Sequence, residues 1–291
     1  MEWRRHRDYW PHADHSRFVP TGGLGGLWHV QEMGTGPELL LLHGAGGATQ
    51  SWRTLMPLLA EHYRCIAVDL PGQGFSKPRV SGRYGLDAMA RDIASLAWGE
   101  GWRPRAIIGH SAGGALALRM AEEGVADTVI GINAALGRFD GVAGWAFPLA
   151  AKLMALNPLT ATFFSTTSSS PGAVRRLLDS TGSKIDPEGQ RLYRALVGSS
   201  SHVDGTLRMM ASWSLDGLLA RMPQNMTRTV LIAAENDKTV PPSVSEKAAA
   251  RMSDARVIRM PGLGHLAHEE APEAVAAQVM AALALESLNA Q

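Results

Sequence analysis

The sequence feature that most constrains the fold is a pentapeptide of small residues around one serine, GHSAG at 109–113. An apolar run at 106–108 precedes it directly, and an Ala-rich segment at 112–123 follows without a spacer. The chain must therefore reverse direction within a few residues, and Gly109 and Gly113 allow the two flanking elements to approach closely. This arrangement predicts a buried β-strand that turns abruptly into a helix.

The segments around this turn repeat the same order of strand and helix. Apolar runs at 39–42 and 65–68 end in Gly- or Pro-rich loops, and apolar residues recur at helical spacing in 52–60 and 86–98. This alternation predicts an α/β fold with a mostly parallel sheet flanked by helices. Upstream, segments 16–19 and 27–31 flank the glycine cluster 22–26 and predict an antiparallel hairpin at the sheet edge.

The second half of the chain interrupts this alternation with a long segment that lacks a strand pattern. Segments 128–132, 229–234 and 256–260 predict further strands, and 272–288 predicts a closing helix. Between the first two of these strands, helical patterns occur at 146–156 and 172–178, broken by Pro and Ser residues. We therefore predict a helical cap at 136–226, inserted into an α/β core formed by 1–135 and 227–291.

The charge balance argues against a protein that binds nucleic acid or anionic lipid, and the cysteine content argues against a disulfide-bonded one. Lys and Arg number 28 against 27 Asp and Glu, so a net charge of +1 offers no attraction to nucleic acid or anionic lipid. Cys65 is the single cysteine and lies in an apolar run, which predicts a buried thiol and no internal disulfide. Because no apolar segment follows the basic N-terminal residues and no long apolar window occurs, we predict a cytoplasmic protein with no transmembrane segment.

The serine of the turn is a candidate nucleophile, which needs a base and an acid that orients the base. In a strand–turn–helix setting Ser111 would be exposed above the sheet, and the acid and histidine would follow in that order after later strands. Asp237 and His265 occupy those places. Glu235 on the same loop and Asp140 after the preceding strand are alternative acids.

The loop after the first predicted parallel strand, HGAGG at 43–47, is a candidate oxyanion site. A tetrahedral intermediate needs two N–H donors, and the main-chain amides of Ala45 and Ala112 are expected to supply them. A dinucleotide-binding loop is the alternative, because Gly44 and Gly46 follow a strand and Asp69 closes the next. Thr49 stands where that motif needs its third glycine, and the motif explains neither Ser111 nor His265.

The remaining polar and apolar clusters suggest a substrate pocket rather than a metal site. His265 and His268 lie three residues apart beside Glu269, but the sequence has neither a His-Glu-x-x-His motif nor a cysteine pair. We predict no metal and no cofactor. Most apolar side chains of the cap are expected to form its own core, and some are expected to line a pocket between the cap and the sheet. The predicted substrate-binding residues are Trp145, Phe147, Met209, Met210 and Trp213.

These motifs together resemble those of the α/β-hydrolase family with a cap. The resemblance rests on the GHSAG turn, His43-Gly44, DLPGQGFS at 69–76, 237–242 and Gly264-His265, and it extends over nearly the whole chain. More narrowly, four segments resemble the magnesium chelatase accessory proteins of bacteriochlorophyll synthesis: SWRTLMPLL at 51–59, TGS at 181–183, MMASW at 209–213 and GHLAHEE at 264–270. Gln50 and Gln73 stand where that group carries histidine.

The resemblance implies a role around magnesium insertion into protoporphyrin, with a tetrapyrrole and magnesium chelatase subunits as expected partners. Two classes of function stay open. In the first, Ser111 attacks an ester, thioester or related acyl carbon. In the second, the chain binds a tetrapyrrole or a partner protein and its triad is unused, since fold and motif do not establish turnover. A dehalogenase is excluded because it needs a carboxylate in place of Ser111.

Overall fold

The protein forms one eight-stranded sheet that is parallel over its larger part. The computed structural model describes residues 1–21, 26–77, 82–137 and 158–289. The strands run in the spatial order β1-β2-β4-β3-β5-β6-β7-β8, antiparallel at the β1/β2 and β2/β4 pairs and parallel from β4 to β8. Their bounds are β1 Ser16–Thr21, β2 Gly26–Met33, β3 Glu38–Leu42, β4 Arg64–Val68, β5 Ala106–His110, β6 Thr128–Ile132, β7 Arg228–Ala234 and β8 Ala255–Met260. The predicted α/β fold and edge hairpin are confirmed.

Helices cover both faces of this sheet. Those outside the segment between β6 and β7 are α1 Leu55–Ala60, α2 Leu86–Gly99, α3 Ala112–Ala121, α9 Pro242–Ala249, α10 Ala267–Glu270 and α11 Pro272–Asn289. Successive side chains of a strand point to opposite faces. Leu40 and Leu42 of β3 accordingly pack with α2 and α3, whereas Leu39 and Leu41 pack with α1 and α11.

The predicted helix at 52–60 is divided in the structure. Thr49–Trp52 forms a 3-10 helix, and α1 begins only at Leu55. Pro57 explains the late start, because a proline lacks an N–H donor and is tolerated only in the first turn of a helix. Cys65 is buried in β4, where burial raises the pKa of its thiol to about 12.

In the part that the structure describes, the long segment between β6 and β7 forms helices joined by loops and has no strand. Residues 158–227 are here called the helical insert. Its α-helices are α4 Pro158–Ser168, α5 Pro171–Ser180, α6 Pro187–Val197, α7 Ser200–Ser212 and α8 Asp216–Arg221. Each of α5 and α6 begins with a proline after a capping side chain, Ser170 and Asp186 respectively. The helix predicted at 172–178 is confirmed within α5, whereas the one at 146–156 lies outside the described residues. Over the described ranges, no helix combines the length and apolar character that a membrane span needs.

Candidate active site

Ser111 lies on a strained turn at the carboxyl end of β5. Its backbone angles are φ 52° and ψ −118°, a conformation that a residue with a side chain rarely adopts. Two close approaches show how tight the turn is. A Cβ on Gly109 would lie 2.2 Å from the Gly113 carbonyl oxygen, and a Cβ on Gly113 would lie 2.1 Å from the Leu42 carbonyl oxygen. Only glycine fits at these two positions, so the sequence forces the serine into the sharp bend between β5 and α3.

Asp237 and His265, which follow β7 and β8, are hydrogen-bonded to each other. His265 Nδ1 lies 2.7 Å from Asp237 Oδ2, and both side chains are buried. The other carboxylate oxygen, Oδ1, accepts the main-chain N–H groups of Thr239 at 2.7 Å and Val240 at 2.8 Å. Because the carboxylate only accepts, Nδ1 of His265 carries the proton and Nε2 is left as an acceptor.

The two alternative acids do not share this position. Glu235 is half-exposed and faces the Arg259 guanidinium at 3.8 Å. Asp140 lies outside the described residues. Of the two carboxylates on the loop after β7, it is therefore Asp237 that contacts the imidazole.

His265 packs directly against the turn that carries Ser111. The rings of His110 and His265 have centroids 4.7 Å apart, and His110 Nε2 donates to the carbonyl oxygen of His265 at 2.9 Å. Burial, together with His268 and His265 nearby, lowers the pKa of His110 well below its usual value, so this ring is a neutral donor. Within the described residues Ser111 Oγ makes no hydrogen bond to His265, a contact that often tightens only when substrate binds.

The loop after β3 approaches Ser111 from the other side. A Cβ on Gly44 would lie 3.0 Å from Ser111 Cβ. His43 fixes this loop, because its Nδ1 donates to the Gly44 carbonyl at 2.7 Å and its Nε2 accepts the Leu70 N–H at 2.9 Å. Among the described residues the amides of Ala45 and Ala112 donate to no protein acceptor. The two amides predicted to form an oxyanion site are thus unpaired main-chain donors.

Asp69, the residue that suggested a nucleotide loop, has no free oxygen for a ribose hydroxyl. Its Oδ2 accepts from His29 Nδ1 and from the Phe75 N–H, both at 2.8 Å, and its Oδ1 accepts the Thr49 N–H at 2.7 Å. The side chain is fully buried. A Cβ on Gly74 would lie 2.2 Å from Asp69 Oδ2, which explains why this loop carries glycine there.

A model of the alpha/beta hydrolase fold matches residues 37–272 of this sequence. This chain belongs to the α/β-hydrolase family. It is 41% identical over 273 residues to the protein named magnesium-chelatase 30 kDa subunit of Rhodobacter capsulatus, covering 93% of this chain and 95% of that relative.

Two more distant matches are esterases by name. The pimeloyl-(acyl-carrier protein) methyl ester esterase of Nitrosospira multiformis is 26% identical, over 87% of this chain and 96% of that relative. Among solved structures, an esterase from Exiguobacterium antarcticum superposes with a TM-score of 0.75 over 91% of this chain and 98% of its own length. Its sequence identity is 18%, so this last likeness shows the fold alone.

The helical insert of this α/β-hydrolase contacts the loops that carry both the acid and the histidine. The carbonyl oxygen of Thr181 accepts the N–H of Lys238 at 3.1 Å and that of His265 at 3.3 Å, and Ser183 Oγ accepts the N–H of Leu266 at 2.8 Å. A Cβ on Gly264 would lie 2.3 Å from the Gly182 carbonyl carbon. The TGS motif at 181–183 is therefore where the insert packs against the candidate site.

Helix α7 of the insert is attached to the loops after β3 and β4. His202 accepts the Gly74 N–H at 2.9 Å through Nδ1, and its Nε2 lies 3.2 Å from the Gly46 carbonyl oxygen. Gln73 accepts the Gly46 N–H at 2.7 Å and donates to Met209 Sδ at 3.0 Å. The loop that bears Ala45 is thus held by His202 of the insert and by Gln73, which in turn contacts Met209 of the insert.

The predicted substrate-binding residues are only partly described. Met209 is buried within the core cluster, Met210 and Trp213 are half-buried, and Trp145 and Phe147 lie outside the described residues. A role in substrate binding stays a prediction for all five. No cluster of His, Cys, Asp and Glu in the described ranges could hold a metal ion.

Sequence reasoning missed a buried charged network between the insert and the core. Arg53, which precedes α1, pairs with Glu269 of α10 and donates to Asp186 at 2.9 Å, while Tyr193 of α6 donates to Glu269 at 2.6 Å. Burial raises the pKa of Glu269 to about 7, against the opposing effect of Arg53. Arg53 and Glu269 are 216 residues apart, and no local pattern connects them.

Asn133 is a second polar residue that the sequence pattern did not single out. It directly follows β6, at the same edge of the sheet as Ser111 and Asp237, and it is buried. Its side chain is hydrogen-bonded to Ala234 at the end of β7 and to Gly264 and His265 in the loop after β8. A polar residue at the carboxyl end of a parallel strand was the available signal.

Proposed function

We propose that this protein is a serine hydrolase that acts on an ester or related acyl substrate, with Ser111 as nucleophile, His265 as base and Asp237 as the acid that orients it. The observation that carries the proposal is the strained backbone of Ser111 beside a histidine whose Nδ1 is bonded to a buried carboxylate. A serine in the strained turn combined with a fixed imidazole tautomer is the arrangement that acyl transfer requires.

In the first half of the reaction His265 Nε2 takes the proton from Ser111 Oγ as this oxygen bonds to the acyl carbon. The carbonyl oxygen becomes an oxyanion, which the N–H groups of Ala45 and Ala112 stabilise. When the intermediate collapses, the bond from carbon to the leaving oxygen breaks and the leaving alcohol receives the proton from His265. In the second half His265 deprotonates a water that attacks the acyl-enzyme, and the free acid leaves while Ser111 regains its proton.

Labelling with a fluorophosphonate tests this proposal, because the probe reacts with activated serines. We expect stoichiometric labelling of the wild-type protein at Ser111, located by peptide mass spectrometry. Ser111→Ala should abolish labelling and reduce hydrolysis of a p-nitrophenyl ester on the order of 10³-fold or more while the melting temperature is unchanged. Ser165, which is also nearly buried and lies in the insert, gives the matched control Ser165→Ala. Wild-type turnover by Ser111→Ala would refute the nucleophile assignment.

We further propose that the hydrolase acts in the cytoplasm as an accessory to magnesium insertion in bacteriochlorophyll biosynthesis. The support is the 41% identity to a magnesium-chelatase subunit over nearly the full length of both chains. A chelatase assay with purified subunits tests this role. Stimulation of magnesium insertion by wild-type protein, lost in Ser111→Ala, is the expected result.

The alternative, a tetrapyrrole-binding or chelatase-partner protein with an unused triad, is favoured by the same relative's name. It predicts that Ser111→Ala stimulates the chelatase as well as wild-type protein does. Titration with protoporphyrin and its magnesium complex separates direct binding from partner binding. If Trp213 stacks on the macrocycle, its fluorescence should be quenched, and Trp213→Ala should weaken binding by about 1 to 3 kcal/mol.

A further inference from the structure

The carboxamide of Asn133 makes three hydrogen bonds that join three strand ends. Its Nδ2 lies 2.8 Å from the carbonyl oxygen of His265 and 3.1 Å from that of Gly264. Its Oδ1 accepts the main-chain N–H of Ala234, the last residue of β7, at 2.8 Å. One side chain therefore connects the end of β6 with the histidine-bearing loop and with the strand that leads to Asp237.

The orientation of this amide is fixed by its partners. If the amide were flipped, its oxygen would face two carbonyl oxygens and its NH₂ group would face the N–H of Ala234. The carbonyl of His265 also accepts from His110, so two side-chain donors bind its oxygen. The main chain of the candidate base is thus attached to the residue before Ser111 and to Asn133.

The backbone at this position favours the same residue type. Asn133 has φ 47°, in the left-handed region that asparagine tolerates better than most residues. Its own N–H donates to the Ile232 carbonyl at 2.8 Å, which anchors the turn to β7. Asparagine thus suits both the backbone conformation and the three side-chain hydrogen bonds. Aspartate would supply the acceptor for the Ala234 N–H but neither of the two N–H donors.

We propose that Asn133 is a positioning residue that sets His265 relative to Ser111 and Asp237. The inference rests on the proposed serine-hydrolase function. Asn133 touches neither the substrate nor the reacting atoms; it acts through the carbonyls of Gly264 and His265 and through the N–H of Ala234. Without its donors the histidine loop is free to shift, and a shift of about 1 Å costs on the order of 10²-fold in turnover.

Two variants of Asn133 separate the side chain from the backbone. Asn133→Gly keeps the left-handed backbone and removes the amide, whereas Asn133→Asp keeps the size and the acceptor and removes both donors. We expect each to lower kcat and the rate of fluorophosphonate labelling about 10²-fold with little change in KM. Asn225→Gly is the control, since Asn225 is also buried and its Oδ1 accepts the Thr227 N–H away from the site. It should retain wild-type kcat.

A second readout does not depend on turnover. The proton shared by His265 Nδ1 and Asp237 should give a resolved low-field proton resonance, assigned by its absence in Asp237→Asn. We expect this resonance to move or broaden in Asn133→Gly and Asn133→Asp and to stay in place in Asn225→Gly. His110→Gln, whose amide can still donate to the His265 carbonyl, should preserve it better than His110→Leu does.

The outcomes distinguish this inference from the hydrolase proposal. Slow labelling together with a displaced resonance supports the positioning role. If a folded Asn133→Asp protein is labelled at the wild-type rate, or if its resonance is unchanged, the positioning role is overturned. If wild-type protein is not labelled at all but the resonance still moves in the Asn133 variants, the hydrolase proposal fails and the positioning role stands.

Discussion

The carboxyl edge of the sheet and the seam between insert and core are held together by different kinds of contact. At the sheet edge, Ser111, Asn133 and Asp237 follow successive strands, and most of their hydrogen bonds go to main-chain groups. At the seam, the contact between α6 and the core depends on the buried side-chain pair of Arg53 and Glu269.

This difference predicts which substitutions should change activity and which should change stability. Most of these main-chain partners lie in the loops that follow the strands, outside the sheet's own hydrogen bonds, so a substitution at the edge should shift those loops and the site more than it destabilises the sheet. A buried ion pair depends on both partners, because removing one leaves an uncompensated charge away from water. Substitutions at the edge are therefore expected to lower turnover, whereas substitutions at the seam are expected to lower the free energy of unfolding.

The largest expected effect is at the sheet edge, in Asp237→Asn. The carbonyl oxygen of the new amide must replace Oδ1, which accepts two N–H groups, so its NH₂ group would face His265 Nδ1. The imidazole would then carry its proton on Nε2 and could not accept one from Ser111, lowering kcat by as much as about 10⁴-fold. Glu235→Gln on the same loop is the matched control. A larger loss in the control would move the acid role to Glu235.

At the seam, Arg53→Met is expected to lower the free energy of unfolding by about 3 to 5 kcal/mol at pH 8, because Glu269 is left buried without its cation. Urea denaturation would measure this loss. The control is Arg208→Met, which breaks a half-exposed pair with Asp204 one helical turn away and should cost about 0.3 to 0.5 kcal/mol. Equal losses in the two variants would contradict the distinction between the buried and exposed pairs.

The seam should also respond to pH through Glu269. Burial raises the pKa of this carboxyl from 4.5 to about 7 in the folded protein, so the folded state binds a proton that the unfolded state has lost. Its contribution to stability is complete below about pH 4.5 and is lost as the pH rises through 7. Denaturation of wild-type and Glu269→Gln protein between pH 5 and 8 tests this. As the pH rises over this range, the free energy of unfolding of the wild-type protein should fall relative to that of the variant. A constant difference would show that Glu269 keeps its ordinary pKa.

The smallest effect is expected at the second contact of the seam, where α7 meets the loop after β4. A Cβ on Gly205 would lie 2.0 Å from the Gly72 carbonyl oxygen, so Gly205→Ala must displace α7 from this loop. We expect a loss of about 1 to 3 kcal/mol in the free energy of unfolding. Because α7 also binds the loop whose Ala45 N–H is proposed to stabilise the oxyanion, kcat should fall more than KM rises. Gly217→Ala, at an exposed position of helix α8, is the control.

The sequence by itself identified the fold and the candidate triad because both depend on local patterns. Apolar runs and turn glycines predicted the strands, and the crowding at Gly109 and Gly113 predicted the bend at Ser111. Once the order of strands was known, Asp237 and His265 could be placed at the same edge, since parallel strands end together. Glu235 stayed an alternative acid on the same loop at that level, and the structure has Asp237 hydrogen-bonded to His265.

Only the tertiary structure decided which distant side chains meet. Asn133 became a candidate positioning residue through contacts with segments 101 and 132 residues away, and the seam depends on Arg53 and Glu269, which are 216 residues apart. Periodicity and turn chemistry describe neighbours along the chain, whereas these pairs form because the sheet brings strand ends together and the helical insert folds back over them. The raised pKa of Glu269 follows from that burial and has no counterpart in the sequence pattern.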